Sequence, residues 1–262
     1  MTKENQFTEI HQVTYYETDL TGQVTLAMLV DMAVLASYDQ AEALGVGTQT
    51  MLKQGLGWVI TQYEMQIIRL PRDREQLSIT TEAVSNDRYF ANRQFFVRDI
   101  DGNLLVHIKA VYVVMDLMAR KMIAIPEAII APYQAPNVKR IPRLARPQKI
   151  TTDETLITND YHVRYFDLDT NHHVNNARYF DWLLDPLGED FLTNHRLQHV
   201  TIRFENEVRY GHTITSAVTT PQIVDGAIAT KHRIMGNDEA KDQTYAEAEL
   251  TWLVAETVDE PV

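Results

Sequence analysis

The sequence predicts an α+β protein built twice over. In each half a helix-period segment is followed by a run of strand-like segments. A twenty-residue window near the start of the chain recurs at an offset of 150, and a proline-rich basic stretch separates the halves. The window VTYYETDLTGQVTLAMLVDM (13–32) aligns without a gap on VRYFDLDTNHHVNNARYFDW (163–182). Val13, Tyr15, Asp19, Val24, Ala27 and Asp31 are identical to Val163, Tyr165, Asp169, Val174, Ala177 and Asp181. That is the pattern of an internal duplication.

Each window opens on an aromatic-rich, strand-like stretch, passes a polar turn and enters a helix. Leu26, Leu29, Val30, Ala33, Val34 and Leu44 recur near the 3.6-residue period, and Gly45 and Gly47 stop that helix. In the second half Ala177, Phe180, Leu183 and Leu184 do the same, and Pro186 ends or kinks it. Alternating, β-branched and aromatic segments follow: WVITQYEMQIIRL (58–70) and QHVTIRFENEVRY (198–210), which pair at an offset of 140. Asp101-Gly102-Asn103 is a hairpin turn between two later strands. Between the halves, 131–149 holds four prolines and a run of basic residues. Proline cannot donate to a ladder, so this stretch is expected to be an extended surface crossover. The expected division is 1–132, a linker 133–150, and 151–262.

The chain has 262 residues, no cysteine and a formal net charge of −12. Without cysteine there is no disulfide, thiolate metal site or cysteine nucleophile. The acidic balance argues against nucleic acid as a partner, because binding it requires neutralising phosphates. No apolar run reaches the ~20 residues that span a bilayer. The N-terminal MTKENQFTEIHQ lacks an apolar core, which points to a cytoplasmic protein.

The densest polar cluster is 167–176, with Asp167, Asp169, Asn171, His172, His173, Asn175 and Asn176 just before the second helix. Helix starts leave free backbone N–H groups, and Asn175 or Asn176 suits the cap. Capping needs one such residue and does not explain so many. In the first half Thr21 replaces Asn171, Gln23 replaces His173 and, at the offset of 140, Ile67 replaces Glu207. A requirement of the fold acts on both copies, so groups present in one copy point to a site there. A calcium loop is excluded, since its glycine and glutamate positions hold His172 and Arg178. No metalloprotease, nucleophile-elbow, phosphate-loop or dinucleotide motif occurs, so neither metal nor cofactor is expected.

The string Asp169-x-Asn171-x-His173-Val174-Asn175-Asn176 resembles the active-site motif of the acyl-acyl carrier protein (ACP) thioesterases of plants and bacteria. Trp58-Val59, Arg69-Leu70-Pro71, Val113-Val114-Met115-Asp116, Arg120-Lys121 and Ile125-Pro126-Glu127 are similar to that family's first domain, and Thr201-x-x-Phe204-x-x-Glu207 to the strand bearing its second carboxylate. The resemblance implies a tandem hot-dog fold, each half an antiparallel sheet wrapped around a helix. It implies hydrolysis of fatty acyl-ACP thioesters by an activated water. Plant members commonly carry cysteine after the glutamate, where Val208 stands.

On this reading Glu207, helped by His173, is base or water orienter, and Asn171 holds the water or the carbonyl. Asp169 orients a neighbour or acts as a second carboxylate, and the sequence leaves the base open among Glu207, Asp169 and His173. Backbone N–H groups near Val174 and Asn175 are the expected oxyanion donors. Taken alone, Glu207 reads as an ion-pair partner of Arg209 or part of a solvated strand face. The resemblance also implies that the first domain houses the acyl tail, with Met28, Met32, Trp58 and Met65 as candidate pocket residues. Arg69, Arg72, Arg74, Lys139, Arg140, Arg143 and Arg146 are candidates for docking the acidic carrier. Alternatives are a coenzyme A thioesterase of the same fold, an acyl-binding module without catalysis, and a hydratase. Pairing of the two copies within one chain allows a monomer or a further homodimer.

Overall fold

The computed structural model describes residues 5–169, 173–224, 226–238 and 243–254. Among them, the first half holds β1 (Gln6–Gln12), α1 (Leu26–Ala43), α2 (Thr48–Lys53), β2 (Leu56–Ile67), β3 (Gln76–Asn86), β4 (Phe90–Arg98), β5 (Leu104–Asp116), β6 (Lys121–Ile123) and α3 (Glu127–Ile130). The second holds β7 (Leu156–His162), α4 (Asn176–Leu184), α5 (Glu189–Asn194), β8 (His195–Phe204), β9 (Thr213–Thr219), β10 (Gln222–Val224), β11 (Ala227–Gly236) and β12 (Thr244–Val254).

The strands form one antiparallel sheet in the order β1-β3-β4-β5-β2-β8-β12-β11-β9-β7, with β6 on β5 and β10 on β11. The order reads the same from both edges: β7, β9, β11, β12 and β8 repeat β1, β3, β4, β5 and β2. The halves therefore meet at β2 and β8, where Tyr63 faces Ile202 and Met65 faces Val200. Each half sets a helix against its part of the sheet, the tandem hot-dog expected, and α1 packs on α4.

The local reasons are those of the sequence. Thr25 caps α1, its hydroxyl accepting the Met28 N–H at 3.2 Å. Asn175 caps α4, its Oδ1 accepting from Ala177 at 3.0 Å. Leu26, Leu29, Val30, Ala33 and Ala36 bury one face of α1. Gly45, at φ 75°, reverses the chain beyond its end. Pro186 lies within a single 3-10 turn just past α4. The core is continuous across the halves, and the Tyr63 ring lies 6.2 Å from Phe180 and 6.1 Å from Phe204.

The proline-rich crossover lies on the polar outer face of the sheet. Asn92 donates to the Pro142 carbonyl at 3.2 Å, Glu64 accepts the Ala145 N–H at 3.3 Å, and Glu249 accepts the Gln148 N–H at 2.9 Å. The proline ring nitrogens have no N–H and need no acceptor there.

Candidate active site

Hydrogen bonds fix the correspondence between the halves better than sequence alignment does. Val24 N–H donates to the Pro71 carbonyl and Val174 N–H to that of Val208; Val13 N–H donates to Glu75 and Val163 N–H to His212. The windows thus keep their offset of 150, whereas the stretch after the central strands is offset by 137. The counterpart of Glu207 is accordingly Leu70, which corrects the assignment to Ile67. Ile67 is a core residue at the end of β2. The contrast survives the correction, because the first half still presents an apolar side chain where the second presents a carboxylate.

β8 ends at Phe204, earlier than the sequence pattern suggests. Glu205 and Asn206 N–H groups both turn to the Tyr245 carbonyl, at 2.8 and 3.3 Å. Glu207 therefore stands on an irregular segment rather than on the strand. Val208 holds that segment. Its N–H donates to the Tyr179 hydroxyl on α4 at 3.3 Å, its carbonyl accepts from Val174, and its side chain is buried in the core. A side chain at 208 points away from Glu207's solvent side, so the absent cysteine leaves no gap in the site.

Glu207 Oε2 lies 2.9 Å from His173 Nε2. Glu207 Oε1 accepts from Arg209 at 3.2 Å and contacts the Arg120 guanidinium, and Arg120 Nη2 is 3.2 Å from His173 Nε2. His173 and Glu207 are partly exposed. The Glu207–Arg209 ion pair read from the sequence is present, and it coexists with the His173 contact. Arg120, on the turn between β5 and β6, was not singled out for the site from the sequence. Its spacing from His173 and Glu207 along the chain carries no signal.

Asp169 Oδ1 accepts the His173 N–H at 3.4 Å, and Asp169 N–H donates to the His173 carbonyl at 2.8 Å. In the first half Asp19 Oδ1 takes Thr21 N–H at 2.8 Å, and Asp19 N–H donates to Gln23. The aspartate occurs in both copies and closes the turn in both. Its geometry is that of a residue presenting His173. Asn171 and His172 lie outside the described residues.

The two backbone donors expected for an oxyanion are committed elsewhere. Val174 N–H donates to Val208 at 3.3 Å and Asn175 N–H to Asp167 at 2.9 Å. Their first-half counterparts do likewise, Val24 to Pro71 and Thr25 to Glu17. These bonds fasten the loop to its neighbours in both copies, which is a duty of the fold.

A hydrogen bond of 3.1 Å from Asn175 Nδ2 to Asp31 Oδ1 brings α1 of the first half against this loop. Met28 and Met32 flank Asp31 on that helix, Met32 buried and Met28 partly so. Trp58 packs edge-on against Tyr112 and touches the core shared by the halves and two smaller apolar clusters of the first half. Met65 is wholly buried on β2 and is core.

A cavity of about 650 Å³ lies at the other copy of the site. Thr21, Gln23 and Leu70 line it, together with Arg178, Trp182, His195 and Trp252. Those last four are the counterparts of Met28, Met32, Trp58 and Tyr112. The copy without the histidine and carboxylate faces charged α4, and the copy that has them faces methionine-bearing α1.

Of the docking candidates, Arg69 is engaged by Glu75 through both nitrogens, at 2.6 and 2.9 Å. Its charge is thereby paired within the first half, while its side chain stays 39% exposed. Arg72, Arg74, Lys139, Arg140, Arg143 and Arg146 are exposed.

A double hot-dog with a histidine–carboxylate pair in one of its two copies is the class that fold and site define. Residues 4–133 match the acyl-ACP thioesterase N-terminal domain and residues 150–253 the C-terminal domain of the same family. The chain belongs to the acyl-ACP thioesterase family. It superposes with a TM-score of 0.91 on a crystal structure from Lactobacillus plantarum provisionally named oleoyl thioesterase, at 44% identity over 96% of this chain and 97% of that one. An acyl-ACP thioesterase from Bacteroides thetaiotaomicron shares the fold, with a TM-score of 0.80, 19% identity, and 96% and 100% coverage. A chloroplastic acyl-(acyl-carrier-protein) hydrolase of Cuphea viscosissima is 24% identical over 233 residues, covering 84% of this chain and 56% of the relative. The chain spans about half the length of the curated relatives it matches. Among the described residues no helix is long and apolar enough to cross a membrane.

Proposed function

We propose that the chain hydrolyses fatty acyl thioesters carried on acyl carrier protein, releasing free fatty acid and the carrier's thiol. The observation that carries this reading is the 2.9 Å contact between His173 Nε2 and Glu207 Oε2 in the second half, against Gln23 and Leu70 in the first. Family membership supports the substrate class.

A carboxylate accepting from Nε2–H leaves Nδ1 of the imidazole as its basic nitrogen. His173 then takes the proton of the attacking water while Glu207 balances the imidazolium. Water adds to the carbonyl carbon, the C–S bond breaks, and the departing thiolate receives the proton. Asp169 presents His173 through the turn. Asn171 is assigned to hold the water or the carbonyl. With Val174 and Asn175 N–H engaged, the oxyanion donors belong elsewhere in the site. The acyl chain is assigned to the first half, beside Met28, Met32 and Trp58.

On the same reading the functional units are 1–132 for the acyl tail, 133–150 as linker and 151–262 for catalysis. Arg72, Arg74, Lys139, Arg140, Arg143 and Arg146 form the surface offered to the acidic carrier. Thiol release from acyl-ACP should exceed that from the matching coenzyme A ester, and the difference should shrink as salt rises. Lys139→Glu with Arg143→Glu should raise KM for the carrier substrate alone. Faster release from coenzyme A would keep the chemistry and replace the partner.

A further inference from the structure

We propose that Arg120, supplied by the first half, is a positioning residue of the catalytic pair in the second. It touches Glu207 and His173 together, through the Oε1 side of the carboxylate and at 3.2 Å from Nε2. This inference rests on the reading of His173 and Glu207 given above.

The turn that carries Arg120 is built firmly. Asp116 Oδ1 accepts the N–H groups of Met118 and Ala119 at 2.9 and 2.8 Å. Leu117 N–H donates to the Gly55 carbonyl at 2.9 Å, and β6 returns on β5 with Lys121 facing Asp116. Arg120 itself sits at φ 53°, in the left-handed region that favours glycine or asparagine. A long cationic side chain at such a position is aimed by the backbone, and here it is aimed across the junction of the halves.

Two roles follow from the contacts. Arg120 and Arg209 share Glu207 Oε1, which leaves Oε2 for His173. Arg120 Nη2 also lies 3.2 Å from Nε2, flanking the edge of the imidazole that faces Glu207 while the proton is exchanged at Nδ1. Among the described residues, the charged and titratable groups beside the pair are Arg120 on the β5–β6 turn, Arg209 beyond β8, Asp169 on the loop before α4, and the Tyr179 phenol that accepts the Val208 N–H.

The test is the pH dependence of thiol release by Arg120→Gln and Arg120→Lys, with melting temperatures, on acyl-ACP and on an acyl-coenzyme A ester. Removing a neighbouring cation makes His173 and Glu207 easier to protonate, so the acidic limb of kcat/KM should move to higher pH by about one unit in Arg120→Gln. Its kcat should fall roughly 10- to 100-fold on both substrates through loss of orientation. Arg120→Lys should keep the limb in place and recover part of kcat. An unmoved limb with unchanged kcat overturns the proposal. So does a rise in KM confined to the carrier substrate, which would make Arg120 a docking residue. A loss of activity that follows melting temperature with the limb unmoved would make it a brace of the turn, and also overturns it. If His173→Ala and Glu207→Ala retain turnover, the underlying reading has failed; if they abolish it while Arg120→Gln behaves as wild type, only this inference has.

Discussion

Asn175 at the start of α4 and Asp31 on the opposite half's helix are joined by a hydrogen bond of 3.1 Å. The same asparagine caps α4 through its other side-chain atom. One residue thus sets where the helix begins and how the loop meets the neighbouring half. Asn175→Ala should cost about 1 kcal/mol of stability through the lost cap, and should lower kcat as well. Thr25→Ala removes the equivalent cap of α1. It should cost a similar amount and leave turnover intact. Melting curves beside thiol-release rates for both variants separate the two effects.

Glu9 on β1 is crowded by burial and by Asp39, which push its pKa up to about 7. A carboxyl group raised in the folded state contributes stability that is fully present below its unfolded pKa and lost as pH rises through the folded one. The affected window runs from the ordinary glutamate range to about 7. Glu9→Gln should therefore melt higher than wild type at pH 8 and show little difference at pH 4. Equal shifts at both pH values would contradict the assignment.

Phe180 on α4 reaches Tyr63 on β2 across the junction, and both are fully buried. Phe180→Ala should cost about 3–5 kcal/mol. Because the core is continuous, the loss should appear as one unfolding transition at lower temperature. Two separated transitions in calorimetry would mean that the halves fold independently.

Val208 is buried beside Glu207. Val208→Cys should change stability by less than about 1.5 kcal/mol and should not increase kcat. The new thiol should react slowly with alkylating reagents in the folded protein. A large gain in rate would mean that the position faces the substrate.

The duplicated α+β plan was legible because both signals behind it are local: hydrophobic period and turn chemistry. The crossover was legible for the same reason, since proline acts on its own φ. The polar cluster at Asp169, Asn171 and His173 stood out against its first-half copy. The counterpart of Glu207 was misplaced because β2 ends in Ile67 and β8 in Phe204, and the sequence does not show where pairing stops. Arg120 is read from the sequence only within the Arg120-Lys121 resemblance and not as a site residue, because a β-hairpin in one half carries it to a loop some fifty residues further on. The backbone N–H groups of Val174 and Asn175 were assigned to an oxyanion because their acceptors, Val208 and Asp167, are visible only once the loop is folded.

The most direct test of the account is thiol release from acyl carrier protein loaded with acyl chains of several lengths, by wild type, His173→Ala and Glu207→Ala. The chain has no cysteine, so a disulfide dye sees only product. Each variant should lose roughly 10²- to 10⁴-fold in kcat with an unchanged melting temperature, and Gln23→Ala and Leu70→Ala at the mirror positions should turn over as wild type does. Turnover by His173→Ala and Glu207→Ala at the wild-type rate would contradict the claim that the second half carries the chemistry.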